Sequence, residues 1–228
     1  MSHLVLLHGA LGDGEQLAPL ESFLSEHYTI HRPNFPGHGG SAMPERFSIE
    51  DFTAFISDYC AEREISSCSI FGYSMGGYVA LYLAHKNPGL VNKIITLGTK
   101  LNWDAATAAK ETRMLQPDVM EEKIPSLVQE LSERHAPNSW KEVVHKTAHL
   151  LTSLGKENLL SEEVYKTIHT PVMLMLGDRD KMVSIEETVN VYRQLTDARF
   201  SVLPGTPHAI EAVDWSLVVP ILLRFLKT

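Results

Sequence analysis

The 228-residue sequence predicts an α/β protein, a mainly parallel sheet of about six strands with helices between them. Three observations carry that expectation. Apolar runs such as Leu4 to Leu7 and Val172 to Leu176 are short and continuous, the pattern of strands covered on both faces. Strand-like and helix-like runs take turns along the chain, which implies right-handed crossovers between neighbouring strands. The alternation is interrupted once, over residues 99–161, by a helical stretch far longer than an ordinary connection between a strand and a helix.

Each element has a local reason. Leu4 to Leu7 ends at His8-Gly9, and a Gly-rich segment leads into a helix expected to bury Leu17, Leu20, Phe23 and Leu24 on one face. Tyr28 to Arg32 reads as a second strand, stopped by the Pro- and Gly-dense run from Pro33 to Ser41. Ser48 caps a helix carrying Phe52, Phe55, Ile56 and Tyr59, with Asp51 in its first turn. Cys68 to Phe71 is a third strand that breaks at a Gly-Tyr-Ser-Met-Gly turn and continues as a helix through Tyr78 to Ala84. Asn87-Pro88-Gly89 stops that helix, and Val91 to Leu97 is the fourth strand. After the long helical stretch come Val172 to Leu176, a helix over 185–195, a strand over Phe200 to Leu203 and a closing helix over 213–226, which Pro220 should kink or split. The division expected is a core of residues 1–98 and 162–228 with a helical cap of residues 99–161.

Composition narrows the function classes. A formal net charge of −8 and the lack of a basic run argue against nucleic acid or an anionic membrane surface as partner. The longest apolar segments fall short of the ~18 residues that cross a bilayer. Met1 to Gly9 reads as a strand and not a signal peptide. Cys60 and Cys68 are too few for a disulfide framework and read as free thiols in a reducing compartment. The expectation is a soluble cytoplasmic protein, monomer or homodimer, with a small-molecule substrate, no cofactor and no metal.

The chemistry-bearing residues sit at strand ends. Gly72-Tyr73-Ser74-Met75-Gly76 lies between a strand and a helix, the context in which Gly-x-Ser-x-Gly holds a serine in a strained, exposed turn while Gly72 and Gly76 let backbone pass close by. Asp178-Arg179-Asp180 follows one later strand, and Pro204-Gly205-Thr206-Pro207-His208 follows another. In an open α/β sheet these residues gather at the carboxyl edge. The chain order Ser74, Asp180, His208 is the order in which a serine, its orienting acid and its base occur behind such a turn.

With these residues in view, the chain resembles the α/β-hydrolase superfamily over nearly its full length. The resemblance rests on Leu7-His8-Gly9-Ala10, Pro33 to Ser41, Gly72 to Gly77, Gly177 to Val183, and Gly205 to His208, five stretches in order. It implies Ser74 as nucleophile, His208 as base, Asp180 as orienting acid, and the backbone amides of Ala10 and Met75 as oxyanion hole. Asp180 is preferred to Asp178 because the family acid sits three residues after the strand-ending glycine and three before a valine, here Gly177 and Val183. Two departures stand out. No counterpart of the usual amino-terminal hairpin is expected before Leu4, which would make Tyr28 to Arg32 an edge strand in need of shielding, and the oxyanion loop lacks the triple glycine of many lipases. Leu11, Tyr73, Trp103 and Met114 are candidate substrate-binding residues. His145 and His149 lie one helical turn apart but lack a zincin glutamate between them, so solvated histidines are expected; His8 and His38 are expected to shape their loops.

The function this resemblance implies is a serine hydrolase acting on a small carboxylic ester, thioester or lactone. A C–C bond hydrolase or a menaquinone-pathway-type lyase acting on a carboxylate-bearing substrate is the second reading, which positive charge inside the cap would favour; Lys100, Lys110 and Arg113 are candidates to bind such a carboxylate, with solvated helix charges the preferred reading. A non-catalytic ligand receptor is the third.

Overall fold

A computed structural model describes residues 1–227. The strands are β1 (His3–Leu7), β2 (Thr29–His31), β3 (Cys68–Tyr73), β4 (Val91–Leu97), β5 (Val172–Gly177) and β6 (Ala198–Leu203). They form one sheet in the order β2-β1-β3-β4-β5-β6, every pairing parallel. The helices are α1 (Ala18–Leu24), α2 (Ile49–Glu62), α3 (Met75–Lys86), α4 (Ala105–Thr112), α5 (Pro117–Lys123), α6 (Pro125–His135), α7 (Trp140–Lys156), α8 (Glu162–Thr167), α9 (Ile185–Tyr192) and α10 (Trp215–Lys227).

The two-residue period of the strands builds two cores. Val5, Leu7, Ile70, Ile94, Val172 and Leu174 face a layer containing α2 and α3, while Leu4, Leu6, Phe71, Ile95, Met173 and Met175 face Leu20 and Leu24 of α1 and Val218, Leu222 and Phe225 of α10. Because both faces are covered, the strands read as unbroken apolar runs. The helix after the serine turn, α3, is buried on every side from Met75 to Ala84, which is why its sequence is apolar all round.

Two local expectations fail. Phe23 is 48% exposed, because Leu17, Leu20 and Leu24 already fill the inward stripe and Phe23 lies on its flank. Pro220 does not split the last helix, which runs from Trp215 to Lys227. Both Pro220 and Ser216, whose carbonyl loses its helical donor to the proline, are exposed, so water can serve that carbonyl. The β2 edge is blunted by its own shortness, three residues, and by Arg32, which pairs with Glu21 at 2.5 Å and Glu15 at 3.1 Å. Cys60 and Cys68 are free and buried.

Helices α4 to α7 lie between β4 and β5 and enclose a small apolar cluster of Met120, Leu131 and Val144. They are fastened to the sheet's layers by Val143, Leu150 and Leu154, buried in the main core, and by side-chain donors to backbone. Lys146 Nζ reaches the carbonyls of Pro44 at 2.7 Å and Glu45 at 2.5 Å, and Asn138 Nδ2 reaches those of Gly37 at 3.2 Å and Ser41 at 2.6 Å. The α8 segment returns to the core, where Tyr165 is buried.

The approach of α3 to the sheet depends on missing side chains. A Cβ on Gly76 would lie 2.4 Å from the carbonyl oxygen of Leu7, and one on Gly72 would lie 2.4 Å from the amide nitrogen of Gly77. Overpacking of this kind costs about 1–3 kcal/mol or more. Gly76→Ala is therefore expected to lower the melting temperature by several degrees, at roughly 2–4 °C per kcal/mol for a chain of this size. Gly89→Ala, whose Cβ would meet nothing within 4 Å, should leave it unchanged, and equal melting curves for the two variants would contradict the packing argument.

Candidate active site

Three loops leave the carboxyl ends of β3, β5 and β6 side by side, and backbone hydrogen bonds extend the sheet into them. Ser74 N–H donates to Leu97 O at 2.9 Å, Asp178 N–H to Leu203 O at 3.0 Å, and Arg179 N–H to Thr206 O at 3.1 Å. Between them Gly98, at φ +60°, brings backbone so close to the Asp180 and His208 side chains that a Cβ would lie 3.2 Å from Asp180 Oδ2 and 3.3 Å from His208 Nδ1. Neither this glycine nor its role is legible as part of the site from the sequence.

Ser74 adopts φ 51° and ψ −117°, a conformation L-residues avoid. It stands at the amino terminus of α3, whose first N–H groups have no helical acceptor and whose dipole favours negative charge there. Its carbonyl is held by Thr99 Oγ1 at 3.0 Å. His208 Nδ1 lies 2.7 Å from Asp180 Oδ2. Asp180 is the acceptor in this pair as a carboxylate, so Nδ1 is the donor and Nε2 is the ring nitrogen not bound to it. The other oxygen, Oδ1, accepts from the amides of Met182 at 2.8 Å and Val183 at 2.9 Å. Burial raises the Asp180 pKa, but these hydrogen bonds and the imidazole outweigh it and hold the carboxyl below its ordinary value. Asp178 instead lies 3.7 Å from Arg179 Nε.

Ser74 and His208 line one cavity of about 210 Å³, together with Ala10, Met75, Leu11, Tyr73 and Trp103. No hydrogen bond joins the Ser74 hydroxyl to the imidazole among the described residues, and such contacts commonly tighten only around substrate. Tyr73 also braces His208, its hydroxyl donating to the carbonyl of that residue at 3.0 Å. Met114 is not among the lining residues; the turn after α4, closed by Leu115 N–H to Thr112 O at 2.9 Å, carries Leu115 to the cavity in its place. Lys100 lines the cavity, but its ammonium is engaged by Met182 O at 2.9 Å and Glu187 at 3.2 Å; Lys110 and Arg113 lie outside the lining. Two polar lining residues have no sequence signal, Glu111 and Thr147.

The loop after β1 is held by buried imidazoles. His8 donates through Nδ1 to Gly9 O at 2.8 Å and accepts Phe35 N–H at 3.1 Å. From α6, His135 accepts Gly39 N–H at 3.2 Å and donates to Leu11 O at 3.1 Å, and Arg134 donates to the same carbonyl at 3.0 Å. Leu11 itself has φ 58°, so these two donors stabilise a backbone conformation that leucine disfavours. His38 packs between the other two rings, with centroids at 5.2 and 5.6 Å. His145 and His149 are not buried on α7.

A family model described as the alpha/beta hydrolase fold matches residues 2–126, more than half of the chain, and the protein belongs to that family. A putative esterase/lipase of Haemophilus influenzae is 24% identical over 98% of this chain and 83% of its own length. A 2-succinyl-6-hydroxy-2,4-cyclohexadiene-1-carboxylate synthase of Photorhabdus laumondii is 26% identical over 78% of this chain and 70% of its own. Among solved structures, a thermophilic esterase from Thermogutta terrifontis superposes with a TM-score of 0.81 at 18% identity, covering 100% of this chain and 90% of that one, a likeness of fold.

Burial lowers the pKa of His8 and of His135 to about 4, with neighbouring cationic groups adding to the effect, and lowers His38 well below its ordinary value. All three are thus neutral when folded, whereas the unfolded chain takes up protons below about pH 6.5. Stability should fall as pH drops from about 6.5 to 4, by roughly 3 kcal/mol for His8 alone. Thermal melts across that window check this. The slope should shrink in His135→Gln, and a flat profile in the unsubstituted protein would contradict the neutral assignment.

Proposed function

We propose that this protein is a serine hydrolase that cleaves a small carboxylic ester, thioester or lactone through an acyl-enzyme on Ser74. The observation that carries the reading is the meeting of a backbone-strained serine and an Asp180-bound imidazole in one cavity. Strain at a serine has no purpose in a simple binding scaffold, where an unstrained turn would serve, so it weighs against a non-catalytic receptor.

His208 Nε2 takes the hydroxyl proton as Ser74 Oγ attacks the carbonyl carbon, and Asp180 stabilises the imidazolium that results. The carbonyl oxygen becomes an oxyanion received by the N–H groups of Ala10 and Met75, where one such donor is worth about 3–4 kcal/mol in the transition state. His208 then protonates the leaving alcohol, the C–O bond breaks, and an acyl-enzyme remains. Water, deprotonated by His208, attacks the acyl carbon and releases the acid as Ser74 regains its proton. Helices α4 to α7 act as the cap over this chemistry.

The cavity favours an ester over a carboxylate-rich substrate. Its volume, about 210 Å³, suits a small substrate. Its one lining ammonium, on Lys100, is already engaged by Met182 O and Glu187, which leaves it unable to receive a substrate carboxylate. The relationship to the Photorhabdus synthase keeps C–C cleavage or lyase chemistry as the second reading. The two buried free thiols suit a reducing, cytoplasmic setting.

Hydrolysis of p-nitrophenyl acetate tests the assignment. Ser74→Ala and His208→Ala are each expected to lower kcat by about 10⁴-fold or more, and Asp180→Asn by about 10⁴-fold, since removing the acid leaves the imidazole in the wrong tautomer. Undiminished turnover by Ser74→Ala would remove Ser74 as nucleophile.

A further inference from the structure

Lys100 lines the cavity, yet its ammonium is committed to protein acceptors, Met182 O at 2.9 Å and Glu187 Oε2 at 3.2 Å, and its side chain is only 15% exposed. Glu187, with a side chain 11% exposed, is occupied in turn. Its Oε1 accepts the amides of Leu101 at 3.0 Å and Asn102 at 3.2 Å, and its Oε2 accepts Ser184 N–H at 3.4 Å. An ion pair taken this far out of water loses hydration, so it is weak evidence of a contribution to stability. Its place among the loops of the site gives it another use.

The Met182 carbonyl that Lys100 holds and the Val183 N–H belong to one peptide group. Such a group is planar, with its C=O and N–H directed to opposite sides. On the far side the Val183 N–H donates to Asp180 Oδ1 at 2.9 Å. The ammonium thus reaches the carboxylate through a single peptide. It fixes the plane from one side, and by polarising the carbonyl it makes the N–H a stronger donor on the other. The Asp180 side chain is 1% exposed, so water has no access to replace a lost donor, and its other oxygen is taken by His208 Nδ1 at 2.7 Å.

The same pair reaches the serine. Glu187 anchors the loop after β4 through Leu101 and Asn102, and that loop carries Gly98, packed against Asp180 and His208, and Thr99, whose Oγ1 holds the Ser74 carbonyl. One ion pair therefore clips the loop after β4 to the loop after β5.

Resting on the assignment of Ser74, His208 and Asp180 as the reacting set, we propose that Lys100 is a positioning residue. Locked by Glu187, it holds the Met182–Val183 peptide in the orientation in which Asp180 aligns the His208 imidazole. A substrate carboxylate would have to displace both of its acceptors to reach it.

The variant Lys100→Met/Glu187→Gln tests this, because it removes the ammonium without stranding a carboxylate, and the glutamine oxygen can still accept the Leu101 and Asn102 amides. With p-nitrophenyl acetate, kcat should fall about tenfold, the effect of one hydrogen bond, with KM changed by less than about twofold. In the Asp180→Ala background the same two substitutions should change kcat by less than about twofold, because the group they act through is gone. The His208 Nδ1–H proton, followed by NMR of histidine-labelled protein and assigned by its loss in His208→Ala, should move upfield and exchange faster with water. An equal loss of kcat in the Asp180→Ala background, or a proton signal that does not move, makes the pair a general brace and overturns the proposal. A rise in KM confined to esters that carry a carboxylate makes Lys100 a substrate ligand and overturns it too. Should the double variant fail to fold, the ammonium protons of Lys100 in the unsubstituted protein decide: they should exchange more slowly than those of exposed lysines, and equal exchange overturns the proposal. The imidazole signal needs neither substrate nor serine, so undiminished turnover by Ser74→Ala would remove the nucleophile and leave the link from Lys100 to Asp180 to be judged on its own.

Discussion

The structure depends on one strained residue. Ser74 is held at φ 51° and ψ −117°, a conformation that costs on the order of 1–3 kcal/mol and persists only when its surroundings impose it. Here the surroundings are two close backbone approaches. Strand β3 meets the start of α3 at Gly72, and the same helix meets the end of β1 at Gly76, so the turn has no space to relax. The burial of α3 on all sides supplies the packing energy that offsets the strain. The consequence for function is positional: the hydroxyl is raised from the sheet edge with a helix amino terminus beneath it.

A second constraint ties the helical insertion to the same site. Arg134, His135, Asn138 and Lys146 all donate to carbonyls of loops of the core, and Leu101, Val143, Leu150 and Leu154 are buried in the main core cluster, so hydrogen bonds to backbone and apolar burial together position the insertion. Two of those donors converge on Leu11 O, one residue from the Ala10 amide proposed for the oxyanion. At this junction His8 and His135 each use one ring nitrogen as donor and the other as acceptor without a charge to desolvate, while the buried His38 has a partner on Nδ1 alone.

The sheet is legible in the sequence because parallel strands buried on both faces leave unbroken apolar runs, and the bounds of Val91–Leu97 agree to the residue. The Ser74 turn is legible because its glycines are dictated by contacts within one short segment. Phe23 and Pro220 depart from expectation because a helical stripe and a helix break do not by themselves say which side the solvent occupies. Met114 yields its place to Leu115 because a turn, whose direction has no period, comes after α4. Glu111, Thr147 and His135 are invisible in the sequence for a different reason. Each is an ordinary residue on an amphipathic helix, and only the docking of the insertion turns them into buried polar groups beside a cavity or a loop.

The central claim is that Ser74 forms a covalent bond to the acyl group. Rapid quenching of a reaction with an activated ester, followed by mass spectrometry of the intact chain and its peptides, tests it most directly. A single acyl group on the peptide containing Ser74, absent in Ser74→Ala, is the result the account requires. Turnover of the ester with no acyl group on that peptide at any time would contradict it.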